Sequence, residues 1–365
     1  MPSFGPKALY VHIPFCSSIC GYCDFTKLIA NPAFIESYLP ALFREIDSFH
    51  ISKVTTIYVG GGTPSVLSLP ELKALLSRLS PFLEEGGEFT FEANPESLSP
   101  EKLRLLASFG VNRLSIGMQS SDPKLLGLMG RKHSYQDVVK AVAAVKEAGI
   151  GNINVDLIYA LPGENADLLA QDISALLDLD VPHLSTYSLI LEDDSVFKAK
   201  GISEASEDVQ AEQYEQILKA LRAAGYDRYE VSNFCREGKM SRHNLVYWHD
   251  EPYYAAGLGA SGYIGNLRYR NTRSLKKYRA GQWREEEESV TPIDDIHYFL
   301  LTGLRLESGI SLKAFADRFG FSFLTKYPKE VLKLKEEGLL DQKGDSLFAT
   351  DRGIMLLDRI LEELF

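Results

Sequence analysis

The stretch ALYVHIPFCSSICGYCDF, residues 8–25, joins an apolar run to three of the four cysteines in this chain of 365 residues. The run ALYVHIP is rich in β-branched and aromatic residues and ends at a proline, a composition typical of a buried strand. Cys16, Cys20 and Cys23 follow directly. The stretch therefore predicts a strand that delivers three thiols to the loop at its carboxyl end.

Five further apolar runs follow, and each of the six runs precedes a segment with helical spacing. The predicted strands are 8–14, 54–60, 88–94, 111–119, 152–162 and 183–192, and the predicted helices are 34–49, 69–83, 99–110, 134–149, 166–180 and 207–225. Strands that alternate with helices predict a parallel sheet with right-handed crossovers. Polar residues come directly after successive strands, and a barrel gathers such positions on one face. The pattern favours a partial barrel over a flat doubly wound sheet.

The alternation of predicted strands and helices ends after about residue 226. We expect residues 1–230 to form the barrel and 231–290 to form a Gly- and aromatic-rich segment without a clear helix, which ends in a solvated loop at REEEE, 284–288. Residues 291–365 read as helices around a short strand pair. The predicted fold class is α/β: a partial (β/α)6 TIM-like barrel with a small, mainly helical, winged-helix-like C-terminal domain.

Composition and charge narrow the class of protein. The chain is 45% hydrophobic and 24% charged, with no apolar run long enough to cross a membrane and no signal-peptide pattern, so a cytoplasmic protein is expected. The formal net charge of −11 argues against nucleic acid as a partner. The C-terminal domain carries 13 acidic and 10 basic side chains, which favours a packing or interface role over DNA binding.

The cysteine loop has the spacing C-x3-C-x2-C. Structural zinc sites usually take four protein ligands, and the fourth cysteine, Cys235, is far away in the sequence. Iron–sulfur clusters are also held by Cys thiolates, and three thiolates on a cubane leave one iron free to coordinate a small molecule. The alternative is that Cys16, Cys20 and Cys23 are core or redox-sensing thiols.

The stretch YVHIPFCSSICGYCDF resembles the signature of the radical S-adenosylmethionine family, in which the fourth iron of the cluster chelates the methionine end of the cofactor. The resemblance implies that Cys16, Cys20 and Cys23 ligate a [4Fe-4S] cluster. The glycines of GGGTP are suited to present backbone N–H groups to the cofactor, and Arg131 is suited to pair with its carboxylate. The resemblance further implies that S-adenosyl-L-methionine is bound by Tyr10, Tyr22, Gly61, Gly62, Thr63, Glu92, Gln119, Arg131 and Asp156.

The stretches GGGTPS, FEANPE, IGMQS and NVDLIYALPG resemble the branch of that family that contains oxygen-independent coproporphyrinogen III dehydrogenases and related heme chaperones. Two departures count against the dehydrogenase. Its motif continues as C-x3-C-x2-C-x-C, where this chain has Phe25, and it carries a long extension before the tyrosine that is here Tyr10.

The stretch HNLVYW, 243–248, matches a heme-linked H-N-x-x-Y-W pattern of the chaperones, and His243 is the predicted axial ligand. His249 and Cys235 are rival ligands. The sequence thus predicts a chaperone that binds heme and delivers it to acceptor proteins, including membrane-associated ones, and it assigns no catalytic residue. A coproporphyrinogen dehydrogenase and a radical enzyme for another substrate are the alternatives. The sequence indicates neither the acceptor nor the oligomeric state.

Overall fold

The computed structural model describes residues 5–193 and 195–365, and it confirms all six predicted strand–helix units. The barrel strands of this part are β1 (Ala8–Ile13), β4 (Val54–Gly61), β5 (Leu83–Ala93), β6 (Arg113–Gln119), β7 (Asn152–Tyr159) and β8 (His183–Ser188), and β2 (Phe15–Cys16) and β3 (Leu28–Ile29) form a separate two-stranded sheet. The helices of this part are α1 (Pro32–Ser48), α2 (Leu69–Leu79), α3 (Pro100–Ser108), α4 (Pro123–Met129), α5 (Tyr135–Glu147), α6 (Ala166–Asp178), α7 (Val196–Ala199) and α8 (Glu207–Ala223).

Local sequence accounts for these elements. The strands β1 and β6 are buried on both faces. β1 reads as a nearly continuous apolar run, whereas β6 alternates apolar residues with Arg113, Ser115 and Gln119, which line the barrel cavity. Helix α2 begins with a capping box in which the Glu71 carboxylate accepts from the Ser68 backbone N–H at 2.7 Å. Among the described residues, none of the helices has both the length and the apolar content that a bilayer span requires.

The strands β1, β4, β5, β6, β7 and β8 are parallel and adjacent in this order. Six strands from later in the chain extend this sheet: β9 (Asp227–Arg228), β10 (Asn233–Cys235), β11 (Tyr253–Ala256), β12 (Ser261–Ile264), β13 (Leu267–Asn271) and β14 (Arg284–Ser289). The complete sheet has twelve strands in the order β14-β13-β12-β11-β1-β4-β5-β6-β7-β8-β10-β9, and its two ends do not pair with each other in the described part of the chain. The partial barrel is therefore confirmed. Its carboxyl rim carries the loops that follow the six parallel strands.

The segment 231–290 is more ordered than predicted. It contributes β10 (Asn233–Cys235) next to β9 (Asp227–Arg228), the helices α9 (Arg242–Trp248) and α10 (Leu275–Arg279), and the strands β11 (Tyr253–Ala256), β12 (Ser261–Ile264), β13 (Leu267–Asn271) and β14 (Arg284–Ser289). The prediction of a loop at REEEE was wrong, because these residues form the edge strand β14, and a charged edge is a common protection against further pairing. The boundaries at 230 and 290 stay predictions, although β11 pairs directly with β1.

The C-terminal domain has the predicted helices around a small sheet, and only the last helix is divided. Its elements are α11 (Pro292–Gly303), β15 (Ile310–Ser311), α12 (Leu312–Phe319), α13 (Phe323–Lys326), α14 (Pro328–Glu336), β16 (Leu340–Lys343), β17 (Ser346–Ala349), α15 (Asp351–Ile354) and α16 (Leu357–Leu364). Ion pairs attach it to the barrel and to the 231–290 segment. Asp351 lies 2.7 Å from both Arg222 and Arg228, and Arg318 lies 2.7 Å from the buried Asp250.

The buried carboxylate of Glu45 joins the segment of strands β11–β14 to helix α1. Glu45 of α1 is fully buried, and burial raises its pKa while the surrounding donors oppose that rise. The donors are the backbone N–H of Gly257 at 2.9 Å, Nδ2 of Asn271 at 2.7 Å, the hydroxyl of Tyr278 at 2.5 Å and Nη1 of Arg284 at 2.9 Å. One side chain of α1 thus accepts hydrogen bonds from four residues of the segment that contains β11–β14.

We expect Glu45→Ala to destabilise the chain by about 3–5 kcal/mol, because it leaves a guanidinium and three other donors without their acceptor. Glu36→Ala, on the exposed face of the same helix, is the matched control and is expected to cost less than about 0.5 kcal/mol. Urea unfolding followed by circular dichroism measures both. Equal midpoints for the two variants would contradict the role given to Glu45.

Candidate cofactor site inside the barrel

A cavity of about 470 Å³ runs inside the barrel from the cysteine loop to Arg113 and His183, the first residues of β6 and β8. It therefore extends from the carboxyl rim toward the opposite end of the strands. The predicted site residues that line it are Cys16, Cys20, Tyr22, Cys23, Gly61, Gly62, Thr63, Glu92, Gln119, Arg131 and Asp156. Tyr10 and His243 are the predicted residues that do not line it.

The cysteine loop is fixed by its backbone and by a small core of its own. Its first part pairs with β3, and the Ala30 N–H donates to the Cys16 carbonyl at 2.8 Å. Gly21 donates to the Met129 carbonyl at 3.0 Å and accepts from the Phe197 N–H at 2.9 Å. A Cβ at Gly21 would lie 2.3 Å from the Phe197 ring, so only glycine fits there. The buried cluster beneath the loop consists of Leu125, Leu126, Met129, Ile158, Leu161, Leu189, Leu191 and Phe197, with Tyr22 and Ile202 packed against it.

The three thiols face the cavity from separate positions. Burial raises the pKa of Cys16, and it raises the pKa of Cys23 to about 11. The Cys20 sulfur lies 3.7 Å from Nη1 of Arg131. Among the described residues, no three His, Cys, Asp or Glu side chains converge closely enough to hold one metal ion.

Two partly buried carboxyl groups line the cavity, Glu92 on β5 and Asp156 on β7, two strands away. Glu92 accepts from the Tyr58 hydroxyl at 2.6 Å and from the Gly61 N–H at 3.1 Å. Burial, with a smaller contribution from the nearby Asp156, raises the pKa of Glu92 to about 7 against these hydrogen bonds. Asp156 accepts from Nδ2 of Asn154 at 2.7 Å, and burial raises its pKa as well. Such carboxyl groups are suited to bind an ammonium group or hydroxyl donors.

Gln119 and Arg131 each have one buried polar atom without a hydrogen-bond partner in the described chain. Gln119 ends β6 in the left-handed region at φ 69°, which non-glycine residues occupy rarely, and its buried Oε1 has no partner within the described chain. Nη2 of Arg131 donates to Oδ1 of Asn94 at 2.9 Å and to the Gly117 carbonyl at 2.8 Å, while its buried Nε has no partner there. These unmet polar atoms belong to residues that line the cavity.

The structure corrects the role predicted for the glycine turn. The N–H groups of GGGTP were expected to face a cofactor, but those of Gly62 and Thr63 donate to the carbonyls of Ile13 and Phe15 at 2.9 and 2.8 Å, and that of Gly61 donates to Glu92. The glycines are needed for close packing instead, since a Cβ at Gly62 would lie 2.8 Å from the Phe15 oxygen.

Tyr10 and His243 lie behind the cavity wall. The Tyr10 hydroxyl is 3.0 Å from Nδ1 of His12, and its ring is tilted against Tyr58 with centroids 6.1 Å apart. Tyr10 therefore supports Tyr58, which lines the cavity.

His243 is completely buried in α9, and both of its ring nitrogens are engaged. Nδ1 lies 2.9 Å from Oγ1 of Thr56 and Nε2 lies 2.7 Å from the Tyr247 hydroxyl. Burial lowers the pKa of His243 to about 3, so the ring is neutral. Ligation of heme iron by His243 stays a prediction, and it requires one of these contacts to open. Of the rivals, His249 is exposed, while Cys235 is buried opposite His183 on β8.

Sequence reasoning missed most of the inner wall. The missed cavity residues include Tyr58, Thr90, Arg113, Ser115, Asn154, His183, Ser185, Tyr187 and Asn233. The sequence pattern that indicates them is a polar residue at every second position of a strand, as in His183, Ser185 and Tyr187 along β8. Every second side chain of a strand points to the same face. Polar residues at that period inside otherwise apolar strands could have identified them.

Comparison with known proteins agrees with this geometry. The family model of the radical SAM superfamily matches residues 10–176, and that of the HemN C-terminal domain matches residues 290–356. The heme chaperone HemW of Lactococcus lactis is 41% identical over 98% of this chain and 97% of its own length, and that of Bacillus subtilis is 38% identical over 96% and 97%. The solved structure of coproporphyrinogen III oxidase (HemN) from Escherichia coli superposes with a TM-score of 0.84, covers 99% of this chain and 90% of its own, and is 22% identical, which supports the shared fold alone.

A partial barrel whose rim carries a C-x3-C-x2-C loop above a buried polar cavity defines a protein of the radical SAM superfamily. The full-length similarity is more specific. Within the superfamily, this chain belongs to the family of the heme chaperone HemW.

Titration of Glu92 predicts a pH dependence of stability. Its pKa is raised from 4.5 to about 7, so between these values the folded chain holds a proton that the unfolded chain has released, and folding stability falls as the pH rises. We expect Glu92→Gln to flatten the fall of Tm between about pH 4.5 and about pH 7 in cluster-free protein, with a residual slope from Asp156 and Glu164, whose pKa values burial also raises. Glu84→Gln, on the exposed part of β5, is the control and should keep the wild-type slope. Parallel Tm curves for wild type and Glu92→Gln would refute the assignment.

Proposed function

We propose that this chain is a heme chaperone that carries a [4Fe-4S] cluster and S-adenosyl-L-methionine, binds heme and delivers it to acceptor proteins. The observation that carries the proposal is the intact cysteine loop above a polar barrel cavity, in a chain that is similar along its full length to proteins named heme chaperone HemW. The cluster, the cofactor and heme are inferred from the family and from the residues of the site.

The residues present fit both cofactors. Cys16, Cys20 and Cys23 line the cavity and provide three thiol ligands, whereas a structural zinc site usually takes four protein ligands and a cubane held by three thiolates keeps one iron open. The unmet Oε1 of Gln119 and Nε of Arg131 offer an acceptor and a donor to a polar ligand. The cluster and S-adenosylmethionine together supply one-electron chemistry when bound, and the protein binds, orients and shields them.

The remaining residues of the wall would hold the cofactor in place. Glu92 and Asp156 offer carboxylates for an amino group or for hydroxyl groups, and Asn94 and Tyr58 keep Arg131 and Glu92 in their positions. Tyr22 packs on the small core beneath the cysteine loop and lines the cavity. Because binding of an ammonium group favours ionised Glu92, we expect cofactor binding to displace a proton near neutral pH.

Coproporphyrinogen dehydrogenation is the second candidate, and the shared fold with HemN is the observation that favours it. Against it stands Phe25, which occupies the position of the additional cysteine and is 62% exposed at the cavity. We therefore favour the chaperone and assign no catalytic residue. A cytoplasmic location, membrane-associated acceptors and the absence of nucleic acid as a partner stay predictions.

Iron loading tests the cluster. We expect anaerobically reconstituted wild type to bind about four iron atoms per chain and Cys16→Ala to lose most of them, because a cubane needs all three thiolates. Cys235→Ala is the matched control, since this buried thiol lies on β10, away from the cavity lining. Iron and sulfide assays with the visible spectrum give the readout. Full iron content in Cys16→Ala, or zinc in the wild-type loop, would exclude the proposed ligand set.

Heme transfer tests the function. We expect the cluster-loaded protein to bind heme and to transfer it to the purified apo form of a heme enzyme at a rate that rises with acceptor concentration, because direct hand-over is a bimolecular step. Passive release would be independent of acceptor concentration. The same preparation, given coproporphyrinogen III, S-adenosylmethionine and a reductant under anaerobic conditions, is expected to form no protoporphyrinogen IX. Accumulation of that product would favour the dehydrogenase.

A further inference from the structure

The inner end of the cavity contains a buried arginine without an acidic partner. Arg113, the first residue of β6, lines the cavity and is only 2% exposed. Its Nη1 donates to Oδ1 of Asn152 at 3.0 Å and to the Lys239 carbonyl at 3.1 Å. Among the described residues, its Nε and Nη2 have no hydrogen-bond partner, and no carboxylate lies within ion-pair distance of the guanidinium. One edge of this charged group is therefore left without a partner.

Arg228 shows how the same chain pairs another buried guanidinium. Arg228 is 5% exposed, its Nη2 lies 2.7 Å from Asp351, and its Nε lies 3.3 Å from Glu307. Burial of a charge without a partner is costly, and buried charges in proteins are therefore normally paired. The contrast indicates that Arg113 takes an anionic partner from outside the described chain.

Thr90 of β5 provides a second donor beside Arg113. The two residues are paired in register on neighbouring strands, and both line the cavity. Because neighbouring strands lie about 4.8 Å apart, their side chains are adjacent. Thr90 is completely buried, and its Oγ1 has no hydrogen-bond partner in the described chain. Arg113 and Thr90, here called the inner donors, thus leave a guanidinium edge and a hydroxyl group unused.

The carboxyl groups of the adjoining wall do not satisfy Arg113. Both oxygens of Glu92 accept hydrogen bonds, as described above, and those of Asp156 accept from the side chains of Asn154 and Ser115 at 2.7 and 3.3 Å. Burial raises the pKa of both carboxyl groups, which reduces their repulsion of an anion.

The other carboxylates near the strands of this wall are engaged or lie at the opposite end. Glu88, two residues before Thr90, accepts from two backbone N–H groups at the start of α9, at 3.2 and 3.0 Å. Asp24 and Glu192 also line the cavity, but Asp24 belongs to the cysteine loop and Glu192 follows the carboxyl end of β8. Both therefore belong to the rim, whereas Arg113 begins its strand.

The polar groups next to the inner donors are neutral and bonded to one another. Nδ2 of Asn154 donates to the Ser115 hydroxyl at 2.8 Å, and Oδ1 of Asn154 lies 2.7 Å from Nδ1 of His183. Burial, with a smaller contribution from Arg113, lowers the pKa of His183 well below its usual value, so its ring is neutral. The positive charge that faces this part of the cavity thus comes from Arg113.

We propose that the inner end of the cavity is a binding site for a small anion with a carboxylate or phosphate group, held by the inner donors. The edge formed by Nε and Nη2 matches two oxygens of such a group, and the Thr90 hydroxyl donates to one of them. The cavity of about 470 Å³ continues from there to the rim, where the predicted cofactor residues lie. The anion site is therefore separate from the cofactor site, and it does not depend on the proposed function.

The test is calorimetric titration of the cluster-loaded protein with sodium phosphate and, separately, with sodium acetate at constant ionic strength. We expect the wild type to bind one anion per chain, and the probe that binds more tightly identifies the source as phosphate or as a small carboxylate. Arg113→Gln should bind it at least about tenfold more weakly, because it loses a charged bidentate contact. Thr90→Val should weaken binding about threefold to tenfold. Arg44→Gln is the matched control, since this exposed arginine also donates to a backbone carbonyl, and it should keep the wild-type affinity.

Circular dichroism and iron content are measured on every variant. If Arg113→Gln does not fold, Arg113→Lys, which keeps the charge and loses the planar edge, and Thr90→Val give the decisive affinities. Equal affinity in the wild type and the inner-donor variants, or no binding of either probe to the wild type, overturns the proposal. The titrations are repeated with saturating S-adenosylmethionine. Unchanged affinity is expected, whereas complete displacement of the anion would assign Arg113 to the cofactor and contradict a separate site.

Discussion

The functional features of this chain depend on the parallel pairing of β1 with β4 on one side and with β11 on the other. Because all six strands of the barrel run in one direction, the thiol loop after β1 and the glycine turn after β4 reach the same rim as the polar ends of β5, β6 and β7. A reversed β1 would place the thiols at the opposite end of the barrel from Glu92, Gln119 and Asp156. The strand β11 comes from far along the chain, and Glu45 of α1 holds the turn that follows it through the Gly257 N–H.

The inside of the barrel is polar. Some of its polar groups are hydrogen-bonded within the barrel wall, and others have no partner there. Most of them are satisfied within the wall, as in the contacts of Tyr58 with Glu92, of Asn154 with Asp156 and of His183 with Tyr229. Such a network is stable in a low-dielectric interior only when its members have partners. Of the buried atoms without partners in the described chain, Oε1 of Gln119, Nε of Arg131 and Oγ1 of Thr90 belong to residues that line the cavity. These three atoms are therefore available to form hydrogen bonds with a polar ligand in the cavity.

The barrel could be predicted from the sequence because the patterns that indicate its strands and helices are local. Each strand of the six units is a short apolar run, and each following helix has its own spacing and cap. The extension of the sheet was missed because the pairing of β11 with β1 is non-local, and REEEE has the composition of a loop although it is an edge strand. The place of the three cysteines at the cavity could be predicted, because their spacing directly follows a strand. The positions of Tyr10 and His243 were not, since a resemblance names residues but does not say whether a ring faces the cavity or the packing behind it.

A carrier and an enzyme require different things from the same barrel. An enzyme gains from enclosing its substrate, because exclusion of water strengthens every electrostatic interaction at the reacting atoms. A carrier must also release its ligand, and differences in affinity between related sites lie mostly in the dissociation rate. A ligand buried at His243 could leave only after α9 had moved, because Thr56 and Tyr247 enclose that ring. Phe25 and Ile190 also line the cavity but are largely exposed, so a ligand in contact with either is accessible to solvent and to an acceptor. The exposed rim of this barrel therefore suits transfer better than its closed interior does.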